Sequence, residues 1–178
     1  MQTGLDRLAA MQTRDGGIAY WPGGTESSAW LSAYVGWMLL EARDGGQELP
    51  SGMLEGVLKR LERELASSGS RVDDDTRAFI CRVLGAAGRP QPSWVAGLEV
   101  AAGRLDMAGR AHLAVALLDL GRRDRAMALL AVDGEAPPPL EMLPSTSGRL
   151  SSNVRQEAVL LDALLSIDPA HPWTAVMA

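Results

Sequence analysis

Four groups of residues in this chain have side chains and spacing that could do chemistry. Asp73-Asp74-Asp75-Thr76 is an acidic run, and a carboxylic acid whose pKa is raised in an apolar cavity can protonate a substrate. His112 and His171 could ligate a metal, and Cys81 could act as a nucleophile. Tyr20, Trp21, Trp30, Tyr34 and Trp37 could line a ligand cavity. Each group also has a plainer reading. Three acids ahead of an apolar run fit a helix N-terminus, where capping and the macrodipole favour them. Neither His has a nearby Cys or a second spaced His to complete a metal set. Cys81 lies among Ile80 and Val83, where a thiol is usually a small buried hydrophobe. No Ser stands in a Gly-x-Ser-x-Gly context, and the aromatic group also fits a core or the plug at one end of a barrel. The expectation is therefore no catalytic residue, no cofactor-binding residue and no metal ligand.

The elements that must position these residues read as helices throughout. Period-2 runs rich in Val, Ile and Thr, the signal of a strand, are missing. Helices are predicted over 3–14, 29–43, 51–67, 73–87, 92–102, 106–120, 122–132 and 152–167, with a last one beginning at Pro172. Asp15-Gly16-Gly17 and Asp44-Gly45-Gly46 punctuate the first two. The helices beginning near 28, 74, 107 and 152 are apolar over most of their circumference and should be buried on most sides. Those beginning near 51, 92, 122 and 171 are apolar on one face; in the first of them Leu54, Val57, Leu58, Leu61 and Leu65 form that face. The two kinds alternate, as a barrel of paired inner and outer helices requires. A closed ring of this kind needs about a dozen helices, so the expected architecture is all-α, a single domain over 1–178 forming an incomplete ring. Residues 133–151, with Pro137-Pro138-Pro139 and Pro144, read as a long loop.

Composition removes several classes. The net charge is −5 and the pI about 5.0, against the basic face that nucleic-acid binding needs. A single Cys can form no internal disulfide and no CxxC metal pattern. No apolar run reaches the length of a membrane helix, and Asp6, Arg7 and Arg14 break any signal-peptide core near the start. With five Trp, two Tyr and one Phe, Leu, Ala, Val and Met must fill the core. The chain begins almost inside a helix, at Leu5, which suggests a piece of something longer.

Two resemblances follow from the stretch 12–37. Gln12-x-x-Asp15-Gly16-Gly17 followed by Trp21 looks like the Gln-Trp loop motif of terpene cyclases and their relatives, which share an α/α-toroid. Ser28-Ala29-Trp30-Leu31-Ser32-Ala33-Tyr34-Val35 resembles a segment of the thioester domain of complement components and alpha-2-macroglobulins, and the preceding run from Asp15 to Gly24 looks like the bacterial branch. Val154-Arg155-Gln156-Glu157-Ala158 through Asp168-Pro169 resembles a later part of the same domain. The resemblance spans roughly residues 4 to 178. It implies an α/α-toroid in a broad-spectrum endopeptidase inhibitor, a protease trap whose internal Cys–Gln thioester bonds to the attacking protease. It further implies a periplasmic, lipid-anchored parent, with the rest of that parent and its target proteases as partners. The family's thioester motif is Cys-x-Glu-Gln, whereas Cys81 is followed by Arg82-Val83-Leu84 and cannot form that bond. The histidine that activates the thioester in mammalian relatives carries over to neither His112 nor His171. The competing expectations are a terpene-cyclase-like enzyme, with acids converging on a central cavity, and a helical interaction scaffold. The trap reading expects a filled centre and an apolar open edge that a second copy could cover.

Overall fold

Four helix N-termini are closed by their own side chains. Ser28 accepts from the Leu31 N–H, Asp73 from Thr76, Asp106 from Gly109 and Ser152 from Arg155. Each such cap satisfies an N–H that would otherwise be orphaned, and contributes about 1 kcal/mol. These four are the helices that read as apolar nearly all round: α2 (Ala29–Asp44), α4 (Asp74–Ala86), α6 (Met107–Asp119) and α8 (Asn153–Ile167). Between them run α3 (Met53–Ala66), α5 (Pro92–Val100) and α7 (Arg123–Leu130), with α1 (Gln2–Ala9) and α9 (Pro172–Met177) at the two ends. Neither α3 nor α5 has a side-chain cap; Gly52 precedes the one and Pro92 opens the other. The computed structural model describes residues 2–67, 69, 71–130 and 152–177. The loop expected at 133–151 lies outside the described residues.

The first predicted helix is too long. It stops at Ala9, and Met11 and Gln12 close its last turn through bonds to Leu8 and Ala9. Beyond that point the backbone is drawn into other bonds. Gln12 and Ile18 form an isolated antiparallel bridge, as do Ile18 and Ser28. The Thr13 N–H bonds the Gly17 carbonyl at 2.9 Å. Polar side chains that bond their own backbone compete with helix continuation, and Thr13 and Asp15 both do so here.

α2 packs on α4, α4 on α6, and α6 on α8; α3 covers α2 and α4, α5 covers α4 and α6, α7 covers α6 and α8, and α9 lies on α8. Direction follows from who meets whom. Asp75, at the start of α4, lies against Gly109 at the start of α6; Asp119, at the end of α6, lies against Gly85 near the end of α4. Arg155 near the start of α8 covers Trp30 near the start of α2. The four inner helices are thus parallel, and each intervening outer helix returns the chain to the starting end. No interface of comparable extent joins α8 back to α2, so the described helices trace an arc. The fold is all-helical, with inner and outer helices alternating as the apolar patterning requires. On α3 the buried side chains are Met53, Val57, Leu58, Leu61 and Leu65, each contributing about 2 kcal/mol by leaving water.

α4 and α6 approach closely enough that a Cβ on Gly109 would lie 2.2 Å from Asp75 Oδ1. That oxygen accepts the Asp106 N–H at 2.9 Å, so it cannot retreat without losing a bond. Gly109→Ala should cost about 1–3 kcal/mol, read as a lower urea midpoint with an unchanged slope; wild-type stability would refute this account of the contact.

Candidate functional site

Asp73, Asp74 and Asp75 each have a structural task. Asp73 caps α4, Asp74 pairs with Arg77 at 2.8 Å and Arg104 at 3.1 Å, and Asp75 ties the start of α6 to α4. Cys81 is buried, and burial pushes its thiol up to about 12, so it stays protonated and unreactive at neutral pH. His171 accepts the Trp173 N–H on Nδ1 at 3.2 Å, at the turn into α9. Among the described residues, no group of three or more His, Cys, Asp or Glu side chains is placed to hold a metal ion.

The Gln12–Gly17 motif is a clamp on α3. The Gln12 amide donates to the Gly16 carbonyl at 2.9 Å and to Met53 at 3.0 Å. Gly16 has φ +84, and a Cβ there would lie 2.5 Å from the Gly56 carbonyl oxygen; both facts demand glycine. Asp15 accepts from Thr13, from the Gly17 N–H and from Ser27, and faces the Arg60 guanidinium at 2.9 Å. Partial burial raises its pKa, but those bonds and the Arg60 charge outweigh it and leave the carboxyl at about 2. Its ionised form therefore stabilises the fold at neutral pH, and that contribution disappears as pH falls from about 4 toward 2.

The aromatic candidates divide. Tyr20 and Trp21 stand in the loop between Ile18 and Ser28, Trp21 being 78% exposed. Trp30, Tyr34 and Trp37 instead start a row of rings that crosses the inner helices. Trp30 stacks on Tyr34 at 5.5 Å, Tyr34 meets Trp37 edge-on, Trp37 meets Phe79 edge-on at 6.1 Å, and Phe79 stacks on His112 at 4.1 Å. Two guanidinium groups cover this row: Arg155 lies 5.0 Å over Trp30 and Arg82 4.7 Å over Trp37. Such contacts stabilise by about 1 kcal/mol or more where water is excluded. The row borders a cavity of about 180 Å³ between α2, α4, α6 and α8. The filled centre expected of a trap component is therefore not complete. No acid lines this cavity, whose walls are Tyr34, Trp37, Phe79, His112, Arg155 and the α8 residues Ala158 and Val159; a smaller adjoining pocket that shares Phe79, His112 and Arg155 is lined by Asp75 and Asp106, both engaged at the starts of α4 and α6.

Arg82 is the polar centre of this region. It ion-pairs with Asp162 on α8, and its Nη1 lies 3.3 Å from His112 Nδ1 on α6. A guanidinium has no acceptor, so Nδ1 of His112 accepts and the ring proton sits on Nε2. That Nε2–H is buried and has no hydrogen-bond partner among the described residues. Burial holds the His112 pKa well below its usual value, and the charges of Arg82 and Arg155 act in the same direction. Phe79, Arg82, Arg155 and Asp162 do not stand out as site residues in the sequence. A signal for the site is nevertheless present there: Arg82 is a cation, and His112 an imidazole, in the middle of otherwise apolar helices.

Two pH effects follow. The unfolded chain protonates His112 near its ordinary pKa of about 6.5 while the folded chain does not, so stability should fall as pH drops below that value. His112→Phe should flatten this part of the pH–stability curve between pH about 7 and 5; an unchanged slope in chemical denaturation would contradict the assignment. Asp15→Asn should lose about 1 kcal/mol at neutral pH and converge on wild type only as pH falls through about 2, measured the same way.

No protein-family profile matches the chain. A curated relative, the alpha-2-macroglobulin of Xylella fastidiosa, is 33% identical over 67 residues, 38% of this chain and 4% of that protein. Among solved structures, native alpha-2-macroglobulin from Escherichia coli superposes with a TM-score of 0.78 at 21% identity, over 98% of this chain and 29% of its own. Escherichia coli alpha-2-macroglobulin activated by porcine elastase gives 0.79 at 23% identity, over 95% and 16%. A Salmonella alpha-2-macroglobulin variant gives 0.80 at 19% identity, over 95% and 12%. The chain thus spans a small part of each protein it matches. Sequence likeness and superposition agree: the chain resembles the bacterial alpha-2-macroglobulins and has the all-helical fold found within them.

Proposed function

We propose that this chain is the thioester-type helical domain, or the later part of one, in a bacterial alpha-2-macroglobulin-like endopeptidase inhibitor. Its own role is non-catalytic: it packs against the rest of its parent and helps to shield and then release a thioester carried elsewhere. The observation that carries this reading is the superposition over 98% of the chain on the native Escherichia coli protein, joined to a 67-residue match at 33% identity. Relatives described as activated by trypsin and by porcine elastase support proteases as partners of the parent. The parent would be periplasmic and lipid-anchored, as the family resemblance implies, and its open edge between α2 and α8 would pack on neighbouring parts of the parent or on a second copy.

Residue chemistry supports the non-catalytic part. A thioester sulfur must leave as a thiolate and be reachable by an attacking amine. Cys81 is 1% exposed, and its thiol is held up to about 12 by burial. The acids that a cyclase would need in its cavity are instead engaged in caps and ion pairs.

The test uses the complete protein that contains this chain, mixed in molar excess with trypsin or elastase. Hydrolysis of a large protein substrate should fall while hydrolysis of a small peptide persists, with part of the protease retained in a covalent adduct on a denaturing gel. Cys81→Ala should leave both readouts unchanged. Unimpeded digestion of the large substrate would overturn the proposal.

A further inference from the structure

The last inner helix is held to the arc by charge as well as by packing. α8 rests on α6, with α7 and α9 against it. Two side-chain contacts reach the earlier inner helices: Asp162 pairs with Arg82 of α4, and Arg155 lies 5.0 Å over Trp30 of α2. α4, by contrast, is surrounded by α2, α3, α5 and α6. A unit at the edge of a fold, with fewer neighbours, opens at lower free energy than the centre.

His112 stands where α8 meets the arc. It is 2% exposed and borders the same cavity as Arg155, Ala158 and Val159 of α8. The charged groups around it come from three helices. α4 supplies Arg82, whose Nη1 lies 3.3 Å from Nδ1, and Asp75; α6 supplies Asp106 and α8 supplies Arg155. α2 adds the phenol of Tyr34, and α5 and α7 add nothing to the lining of either pocket. Asp75 and Asp106 accept the backbone N–H groups of Asp106 and Gly109, and His112 Nε2 bonds neither. Asp162 is taken up by Arg82. A neutral imidazole can accept from the guanidinium, whereas an imidazolium has a proton on both nitrogens and repels it. Burial, then Arg82 and Arg155, keep the ring neutral in the closed arc. Opening lets water reach the ring and restores a pKa of about 6.5. The closed form is therefore fully favoured above that pH, and its advantage over the open form falls about tenfold per pH unit below it.

We propose that His112 is an acid-sensitive latch: a proton taken up at Nδ1 removes the acceptor from Arg82, adds a third cation beside Arg82 and Arg155, and releases α8 and α9 while α2 to α6 stay packed. The latch is independent of the protease-trap reading and belongs to the chain by itself.

The experiment is amide hydrogen exchange of the 178-residue chain at pH 7 and pH 5, corrected for intrinsic rates. Amides of α8 and α9 should open about tenfold more often than those of α4 at both pH values, and their opening should rise about 20-fold from pH 7 to pH 5. His112→Phe should abolish that rise, and His112→Gln, which keeps an acceptor for Arg82 but does not titrate, should do the same if His112→Phe fails to fold. Asp162→Asn should loosen α8 at both pH values and keep the rise. Equal protection of α8 and α4 means that the arc opens as one unit and overturns the latch. A rise that is absent in wild type, or that persists in both His112 variants, also overturns it. Loss of the rise in Asp162→Asn assigns the titration to Asp162 and likewise overturns the proposal.

Discussion

The Arg82 guanidinium is the contact on which the inner arc depends. It sits on α4, lies over Trp37 of α2, bonds His112 of α6 and pairs with Asp162 of α8. One side chain therefore touches all four inner helices. It is 7% exposed, while Asp162 is 40% exposed, so the charge is brought inside but its counter-ion keeps contact with water. A buried cation is costly unless paired, and its value lies in fixing one arrangement over others. Here the arrangement is the register of four parallel helices.

Parallel packing sets further requirements that the sequence meets. Four helix N-termini gather at one end, where their partial positive charges repel. Asp73 and Asp106 cap two of them with carboxylates, and Asp74 and Asp75 add negative charge in the first turn of α4. The outer helices, running back between them, oppose the remaining dipoles. The small side of the same problem is steric: Gly85 and Gly109 allow α4 and α6 to meet at both ends with aspartates between them. Acid residues that might suggest catalysis are, in this fold, the means of holding parallel helices together. The 12–17 motif has the same character, a set of bonds from one turn to α3 with no reactive group left over.

Much of the fold is legible in the sequence because it rests on patterning. The division into all-round and one-faced apolar helices, at 28, 74, 107 and 152 against 51, 92, 122 and 171, requires no knowledge of contacts. The N-caps are visible for the same local reason, at Asp73 and to within one residue at Ser27 or Ser28, of which Ser28 is the cap while the Ser27 hydroxyl bonds Asp15. What is not legible is long-range. Gln12 looks like a helical residue until Met53, 41 positions away, takes its amide. The aromatic residues from Tyr20 to Trp37 look like one cluster along the chain. In space Tyr20 and Trp21 part from Trp30, Tyr34 and Trp37, because the bridges at Ile18 turn the loop outward. The cavity depends on Trp37, Phe79, His112 and Arg155 converging from four helices, and no spacing within one helix encodes that. A cation and an imidazole inside apolar helices are the available hint, since such groups are rarely buried unless partnered.

Arg82→Ala, followed by urea unfolding at neutral pH, tests the arc most directly. Loss of the guanidinium removes the pair to Asp162, the bond to His112 and the cover over Trp37 together. The expected result is a loss of about 3 kcal/mol with a less cooperative transition. A variant within about 0.5 kcal/mol of wild type, with the same slope, would contradict the central place given to Arg82.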